Sequence, residues 1–316
     1  GYALATVASR PLVRTASPAI VTTGFMNLLG TLQAMRILAR VKPDIVIATG
    51  GYVCFPVVLA ARILGKRPIA LLEPNAQPGL TNRMLAPMVD EIWGAFAEGD
   101  ARFAGKYRHT GIPVRAALRA LPPRDEAIAR LGLSAKRKTL LAMGGSQGAR
   151  SINDALTALV RANGLPEGWQ LIHVTGEKEY DRVRSALAES APGGAVRPYL
   201  HDLSDAYAAA DLVLARSGAS TLGELAATGR PAILVPYPYA ADNHQRSNAE
   251  RFAATGAAIV VEDRELVAGR LAAILSEATA PGRLEALRLA AERGQGDPVA
   301  TILGRVEKLA YRKNPA

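Results

Sequence analysis

The sequence predicts an α/β protein built on parallel sheets and divided into two domains. Short apolar runs of strand length alternate with segments of helical periodicity. Two of those runs end in small-residue turns that open helices. A proline-rich stretch, IPVRAALRALPPR at 112–124, separates two strand–helix series. Alternation of this kind places ligands at the C-terminal ends of the strands.

The first series opens with GYALATVASRPL, a strand-like segment with no initiator Met, which leads to the expectation that an N-terminal piece is missing. Apolar residues recur at helical spacing from Leu28 to Arg40 (Leu28, Leu32, Met35), and Pro43 bars continuation. Asp44–Thr49 reads as a buried strand ending in Gly50-Gly51, and Pro56–Leu64 as a helix closed by Gly65. Pro68–Glu73 is the next strand, followed by the loop PNAQPGL (74–80) and a helix from Thr81. Domains are expected at 1–118 and 119–316, with the last helix left open to pack back on the first.

The second series starts with TLLAMGGSQGARSINDAL (139–156): a buried strand, a polar turn and a helix start. Gly144, Gly145 and Gly148 let backbone amides approach an anion, and the helix that follows offers unpaired N–H groups and a positive dipole end. Ser146 and Gln147 add side-chain donors, so a phosphate or diphosphate fits; an ordinary tight connection fits equally. Neither GxGxxG nor GxxxxGK[ST] occurs in this turn, against a dinucleotide fingerprint or a P-loop. Strands follow at Gln170–Thr175, Val196–Leu200, Leu212–Ala215 and Ala232–Val235, with helices at Lys178–Glu189 and Leu203–Ala210.

After LVLA comes RSGASTLGELAATG (216–229), a second small-residue turn and helix start, hence a second anion site by the same physics. Thr221 and Glu224 stand at capping-box spacing, so Glu224 either satisfies a backbone amide or accepts the hydroxyls of a ribose. The loop PYPYAADNHQ (236–245) gathers Asp242, Asn243, His244 and Gln245 before another helix, which suits sugar hydroxyls or a helix cap. Together these features describe a pocket for a nucleoside diphosphate sugar.

Composition narrows the partners. Residues 1–118 carry 13 Lys/Arg and 6 Asp/Glu, net +7, whereas 119–316 carry 25 and 22, net +3, together the +10 of the chain. That skew points to an anionic membrane surface, nucleic acid or a solubilising surface. Nucleic acid would call for basic residues interleaved with aromatics, and only 5% of residues are aromatic. The single cysteine, Cys54, excludes an internal disulfide, and no apolar run reaches the roughly 18 residues of a transmembrane helix.

The motifs GGYVCFP (50–56), EPNAQPGLTN (73–82), GIPVR (111–115), GGSQGAR (144–150), RSGASTLGELAATGRPAILVPYP (216–238) and DNHQ (242–245) resemble the MurG family, from about residue 9 to the C-terminus. The resemblance implies a GT-B architecture: two Rossmann-like domains facing across a cleft, here with the first incomplete. It implies an inverting, metal-independent transfer of N-acetylglucosamine from UDP-GlcNAc to the 4-hydroxyl of lipid I, forming lipid II for peptidoglycan, with no cofactor. By position, it assigns Glu224 to the uridine ribose and Leu200 to uracil through its backbone. Ser146, Ala219, Ser220 and Thr221 would line the diphosphate. Gln245, with His244 beside it, would hold the GlcNAc hydroxyls, and Arg115 and Asn75 would face the donor from the hinge and the first domain. A basic, apolar face docked on the cytoplasmic leaflet of the plasma membrane is also implied.

The family opens with a strand and a Gly-rich loop thought to meet the acceptor and to include a candidate base; nothing before Tyr2 matches it. The catalytic base is therefore unassigned, and the chain is expected to be a partial sequence able to bind donor. The alternatives are another GT-B glycosyltransferase with a different lipid or small-molecule acceptor, and a donor-binding fragment without activity.

Overall fold

Two parallel sheets carry the architecture of the computed structural model, which describes residues 2–11, 19–65, 67–103, 105–145, 147–188 and 195–312. One unit comprises Gly1–Ile112 with Pro298–Ala316; the other comprises Pro113–Asp297.

The sheet of the first unit runs in the order β1 (Val46–Ala48), β2 (Ile69–Glu73), β3 (Glu91–Gly94), β4 (Tyr107–His109). Its core packs Val46, Ile69, Leu71 and Ile92 against Val58, Leu85 and Phe103. Helix Cys54–Leu64 ends in a left-handed Gly65 whose N–H closes on Ala61, the terminator expected from the sequence. Strand β1 is shorter than the DIVIAT run, and the described residues 2–11 form no regular element in place of the expected strand.

Helix Ala19–Val41 begins nine residues before the Leu28 read from periodicity. Its N-terminal turns were hidden because their buried stripe is polar and small: Thr23, Asn27, Thr31 and Ala34 are buried. Asn27 exchanges hydrogen bonds with the backbone of Arg10, and Gln33 accepts from the Ala8 amide. Several large apolar residues of the same helix face outward, Val21 at 76% and Phe25 at 64% exposure, with Leu28 and Leu32 also exposed, while Leu38 packs on the core. Helix Pro298–Arg312 returns to this unit, seating Leu309 against Trp93 and Ala70.

The sheet of the second unit has the order β10 (Ala258–Val260), β9 (Ala232–Leu234), β8 (Leu212–Ala215), β5 (Lys138–Met143), β6 (Trp169–Val174), β7 (Ala195–Arg197). All its pairs are parallel. Strands β8 and β9 are buried at every position and β5 at all but Lys138, because helices cover both faces. β7 stops at Arg197, before Pro198, rather than reaching Leu200. The helix expected at Lys178–Glu189 is a short 3₁₀ turn, Glu177–Glu179, followed by Tyr180–Leu187; Glu189 lies outside the described residues. Strands β3, β4 and β10 had no counterpart in the sequence reading: each spans only three or four residues.

Glu91 ties the returning helix to the first sheet. It is 3% exposed and accepts from the Trp93 indole at 2.9 Å and from the Arg305 guanidinium through two nitrogens. Burial pushes its carboxyl up, but the Arg305 and Trp93 bonds outweigh that and hold it below the ordinary value. Its contribution is therefore present at neutral pH and lost as pH falls through its lowered pKa. Arg305→Ala strands a buried carboxylate and is expected to cost about 3–5 kcal/mol in urea unfolding; a loss under about 1 kcal/mol would make the pair incidental.

Candidate functional site

The strand order of the second sheet reverses direction between β5 and β8. In chain order its six strands take the doubly wound arrangement 3-2-1-4-5-6, whose switch point lies between the first and fourth strands. Met143 pairs with Ala215, so Gly144 and Arg216 leave the sheet side by side. The two small-residue turns thus lie on one edge, and helices Arg150–Asn163 and Ala219–Thr228 start next to each other. Each start presents unpaired amides and a positive dipole end, stabilising a nearby anion by about 0.3–1 kcal/mol, and more where partly buried.

The first turn is shaped by close approach. A Cβ on Gly144 would meet the Ala149 amide at 2.1 Å; Gly148, at φ +75°, would drive one into the Thr175 carbonyl at 2.2 Å. Behind the turn, Asn153 donates to the Thr175 carbonyl at 3.0 Å and accepts from His173 Nε2 at 2.9 Å. That pairing places the proton of His173 on Nε2, and burial lowers its pKa to about 4, so the ring is neutral at physiological pH. Ser146 lies outside the described residues.

The second turn is braced by Arg216, which is 9% exposed. Its guanidinium donates to the Val235 and Pro236 carbonyls (3.2 Å each), to Asp263 (2.5 Å) and to Ser151 Oγ (3.0 Å). Ser151 lies in the first turn of the helix that follows Gly144–Gly148, and it donates to the same Asp263 oxygen at 2.6 Å. One cation therefore links both turns to the Pro236 loop. With its charge met by Asp263 and both terminal nitrogens bonded to protein, Arg216 braces the frame of the two turns. Ser217 donates to the Gln245 carbonyl at 2.7 Å, and the Gln245 side chain accepts from the Tyr237 amide at 3.1 Å. These bonds bring Gln245 against the Gly218–Thr221 segment, with its Nε2 4.0 Å from where a Gly218 Cβ would stand.

Helix Ala219–Thr228 has Gly218 as its N-cap with no side-chain cap, so Glu224 does not serve a capping box. Its carboxylate instead accepts from the Tyr207 hydroxyl at 2.9 Å. Asn243, not Asp242, is the N-cap of helix His244–Ala253, again without a side-chain bond; both residues have positive φ, 54° and 51°. His244 Nδ1 donates to the Ala241 carbonyl at 2.7 Å. Arg115 donates to the His201 carbonyl at 2.7 Å, which places it beside half-buried Leu200, and its charge acts on Glu224.

Asn75 belongs to the first unit. Its amide donates to Glu73 Oε1 at 3.0 Å, and Asn82 donates to Glu73 Oε2 at 2.7 Å. Glu73 is 2% exposed, and burial raises its pKa despite these bonds. The sequence reading did not assign Arg216, Tyr207, Asn153 or His173. A charged residue directly after the apolar strand LVLA, and a lone aromatic within SDAYAA, were the signals that carried the first two.

Residues 139–296 match the glycosyltransferase family 28 C-terminal domain and residues 1–93 the glycosyltransferase family 28 N-terminal domain. The chain is 42% identical over 294 residues to a UDP-N-acetylglucosamine--N-acetylmuramyl-(pentapeptide) pyrophosphoryl-undecaprenol N-acetylglucosamine transferase of Halothermothrix orenii, covering 89% of this chain and 78% of that protein. The corresponding protein of Desulforudis audaxviator is 41% identical over 291 residues, with the same coverage. Among solved structures, MurG of Acinetobacter baumannii superposes with a TM-score of 0.73 at 28% identity, over 96% of this chain and 83% of that one. The glycosyltransferase of kitacinnamycin shares the fold alone, with a TM-score of 0.66 at 17% identity over 97% and 86% of the two chains. The fold is the two-domain α/β fold with parallel sheets of GT-B glycosyltransferases. By these matches the chain belongs to the MurG family of glycosyltransferases.

Proposed function

We propose that this protein transfers N-acetylglucosamine from UDP-GlcNAc to the 4-hydroxyl of the muramoyl residue of lipid I, producing lipid II and UDP. The observation that carries the reading is the pair of helix starts flanking the β5–β8 switch point. The acceptor oxygen attacks the anomeric carbon with inversion as its hydroxyl proton passes to a base, the bond from that carbon to the β-phosphate oxygen breaks, and UDP leaves with the electron pair. Negative charge grows on the diphosphate as that bond opens, and the reading gives the amides at the starts of helices Arg150–Asn163 and Ala219–Thr228 the role of receiving it. Glu224 takes the ribose hydroxyls, the Leu200 backbone the uracil, and Gln245 with His244 the sugar hydroxyls. Arg115, held at the His201 carbonyl, completes the donor set of the second unit.

An apolar cavity in the first unit supports a peripheral location on the cytoplasmic leaflet. It measures about 680 Å³ and its lining includes Ile20, Leu28, Phe55, Leu59 and Met84, together with Arg83. Exposed Arg36, Arg40 and Arg62 lie on the same two helices, Ala19–Val41 and Cys54–Leu64. Apolar area together with basic side chains fits an anionic lipid surface.

Two measurements test these assignments. Glu224→Ala is expected to raise the calorimetric Kd for UDP about 10- to 100-fold with the fold intact. Burial raises the Glu224 pKa, so UDP affinity in the unaltered protein should fall off, with decreasing pH, above the ordinary carboxylate value. Unchanged affinity in the variant would remove Glu224 from the site. For the membrane, the protein should sediment with phosphatidylglycerol vesicles and lose that binding in Phe25→Asp/Leu28→Asp. Equal sedimentation of the variant, or retention on DNA instead, would reject the docking face.

A further inference from the structure

Tyr207 is the largest polar side chain of the second unit that is sealed from solvent, at 0% exposure in helix Ser204–Ala209. A buried phenol needs a partner for its hydroxyl. Its partner here is Glu224 Oε2, at 2.9 Å, on a different helix and 17 residues along the chain. Burial, and the carboxylate beside it, push the phenol well above its usual pKa, so it stays protonated and acts only as a donor. Glu224 itself is half-buried, and its other oxygen, Oε1, takes no bond from a described side chain. A glutamate free to rotate would lose side-chain entropy on meeting a ligand; one already held by a buried phenol has lost it on folding.

We propose that Tyr207 is a positioning residue of the donor site. Its hydroxyl fixes the Glu224 carboxylate so that Oε1 and the remaining lone pair of Oε2 face the vicinal hydroxyls of a ribose, and it thereby sets the preference for ribonucleoside over deoxyribonucleoside diphosphates. The inference rests on the donor-site reading given above and adds to it a residue that does not touch the ligand.

The groups acting electrostatically on Glu224 are Tyr207, from Ser204–Ala209, and the Arg115 guanidinium, from the segment before helix Ala116–Arg119. Burial raises the Glu224 pKa, while the phenol bond and Arg115 lower it. Tyr207→Phe deletes a bond made to the charged form, so the pKa rises further and UDP affinity is lost at a higher pH during acidification.

The test is calorimetry of UDP and 2′-deoxy-UDP against the full chain and Tyr207→Phe. The UDP Kd is expected to rise about 5- to 10-fold, the net scale of one ordinary intramolecular hydrogen bond. The ratio of 2′-deoxy-UDP to UDP Kd should shrink towards unity, and the acid limb of UDP binding should move up in pH. A purely structural role for the hydroxyl moves neither the ratio nor the limb. If Tyr207→Phe does not fold, a crystal structure of the unaltered protein with UDP decides: Glu224 Oε2 is expected to keep the Tyr207 hydroxyl within about 3 Å while Oε1 meets a ribose hydroxyl, and a carboxylate turned away from Tyr207 in the complex overturns the positioning role. Unaltered ratio and acid limb in the folded variant, alongside lost UDP binding in Glu224→Ala, overturn the positioning role and leave the donor site standing. Unaltered UDP binding in Glu224→Ala as well overturns both.

Discussion

The parallel pairing of β5 with β8 is the constraint on which the rest of the second unit depends. These strands are not consecutive in sequence: β6 and β7, with their helices, are wound to one side before the chain returns to lie against β5. That crossover opens the crevice in which a doubly wound sheet binds its ligand. It also makes two helix starts neighbours although about 70 residues separate them (Arg150 and Ala219). Each start alone is a weak anion site. Their placement together at one level of one sheet is what the proposed diphosphate site rests on.

Holding such a crevice open requires that the groups framing it not collapse into it. Arg216 does this by spending its donors on two carbonyls, Ser151 and Asp263, so a positive charge next to the crevice is absorbed into the frame. Asn153 and His173 do the equivalent behind the first turn with neutral groups. Tyr207 does it for the carboxylate. The residues proposed to face the ligand are thereby backed by side chains that are buried and hydrogen-bonded, as holding a working geometry requires. The first unit follows another logic: the N-terminal part of helix Ala19–Val41 turns small polar residues inward and large apolar ones outward, the reverse of a core helix.

Much of this was legible in the sequence, and the gaps have physical causes. Runs such as LLAM and LVLA announce buried parallel strands because helices cover both sheet faces, leaving no alternation to read. The glycine turns were legible because close backbone approach excludes a side chain, as the Gly144 and Gly148 contacts show. The start of helix Ala19–Val41 was not legible: Thr22, Thr23 and Gly24 are poor helix formers, and its buried stripe lacks the apolar period. Thr221 and Glu224 carried capping-box spacing without forming the box, because the helix begins earlier, at Gly218. The braces Arg216 and Tyr207 were invisible because their partners, Asp263 and Glu224, lie 47 and 17 residues away, and one chain does not reveal long-range pairing.

The most direct measurement is a crystal structure of the protein with UDP. The account predicts diphosphate oxygens within about 3 Å of backbone nitrogens from both the 144–149 and the 218–221 segments, with the ribose on the Glu224 side. A diphosphate bound at only one of these turns, or away from the edge where β5 and β8 end, would contradict it.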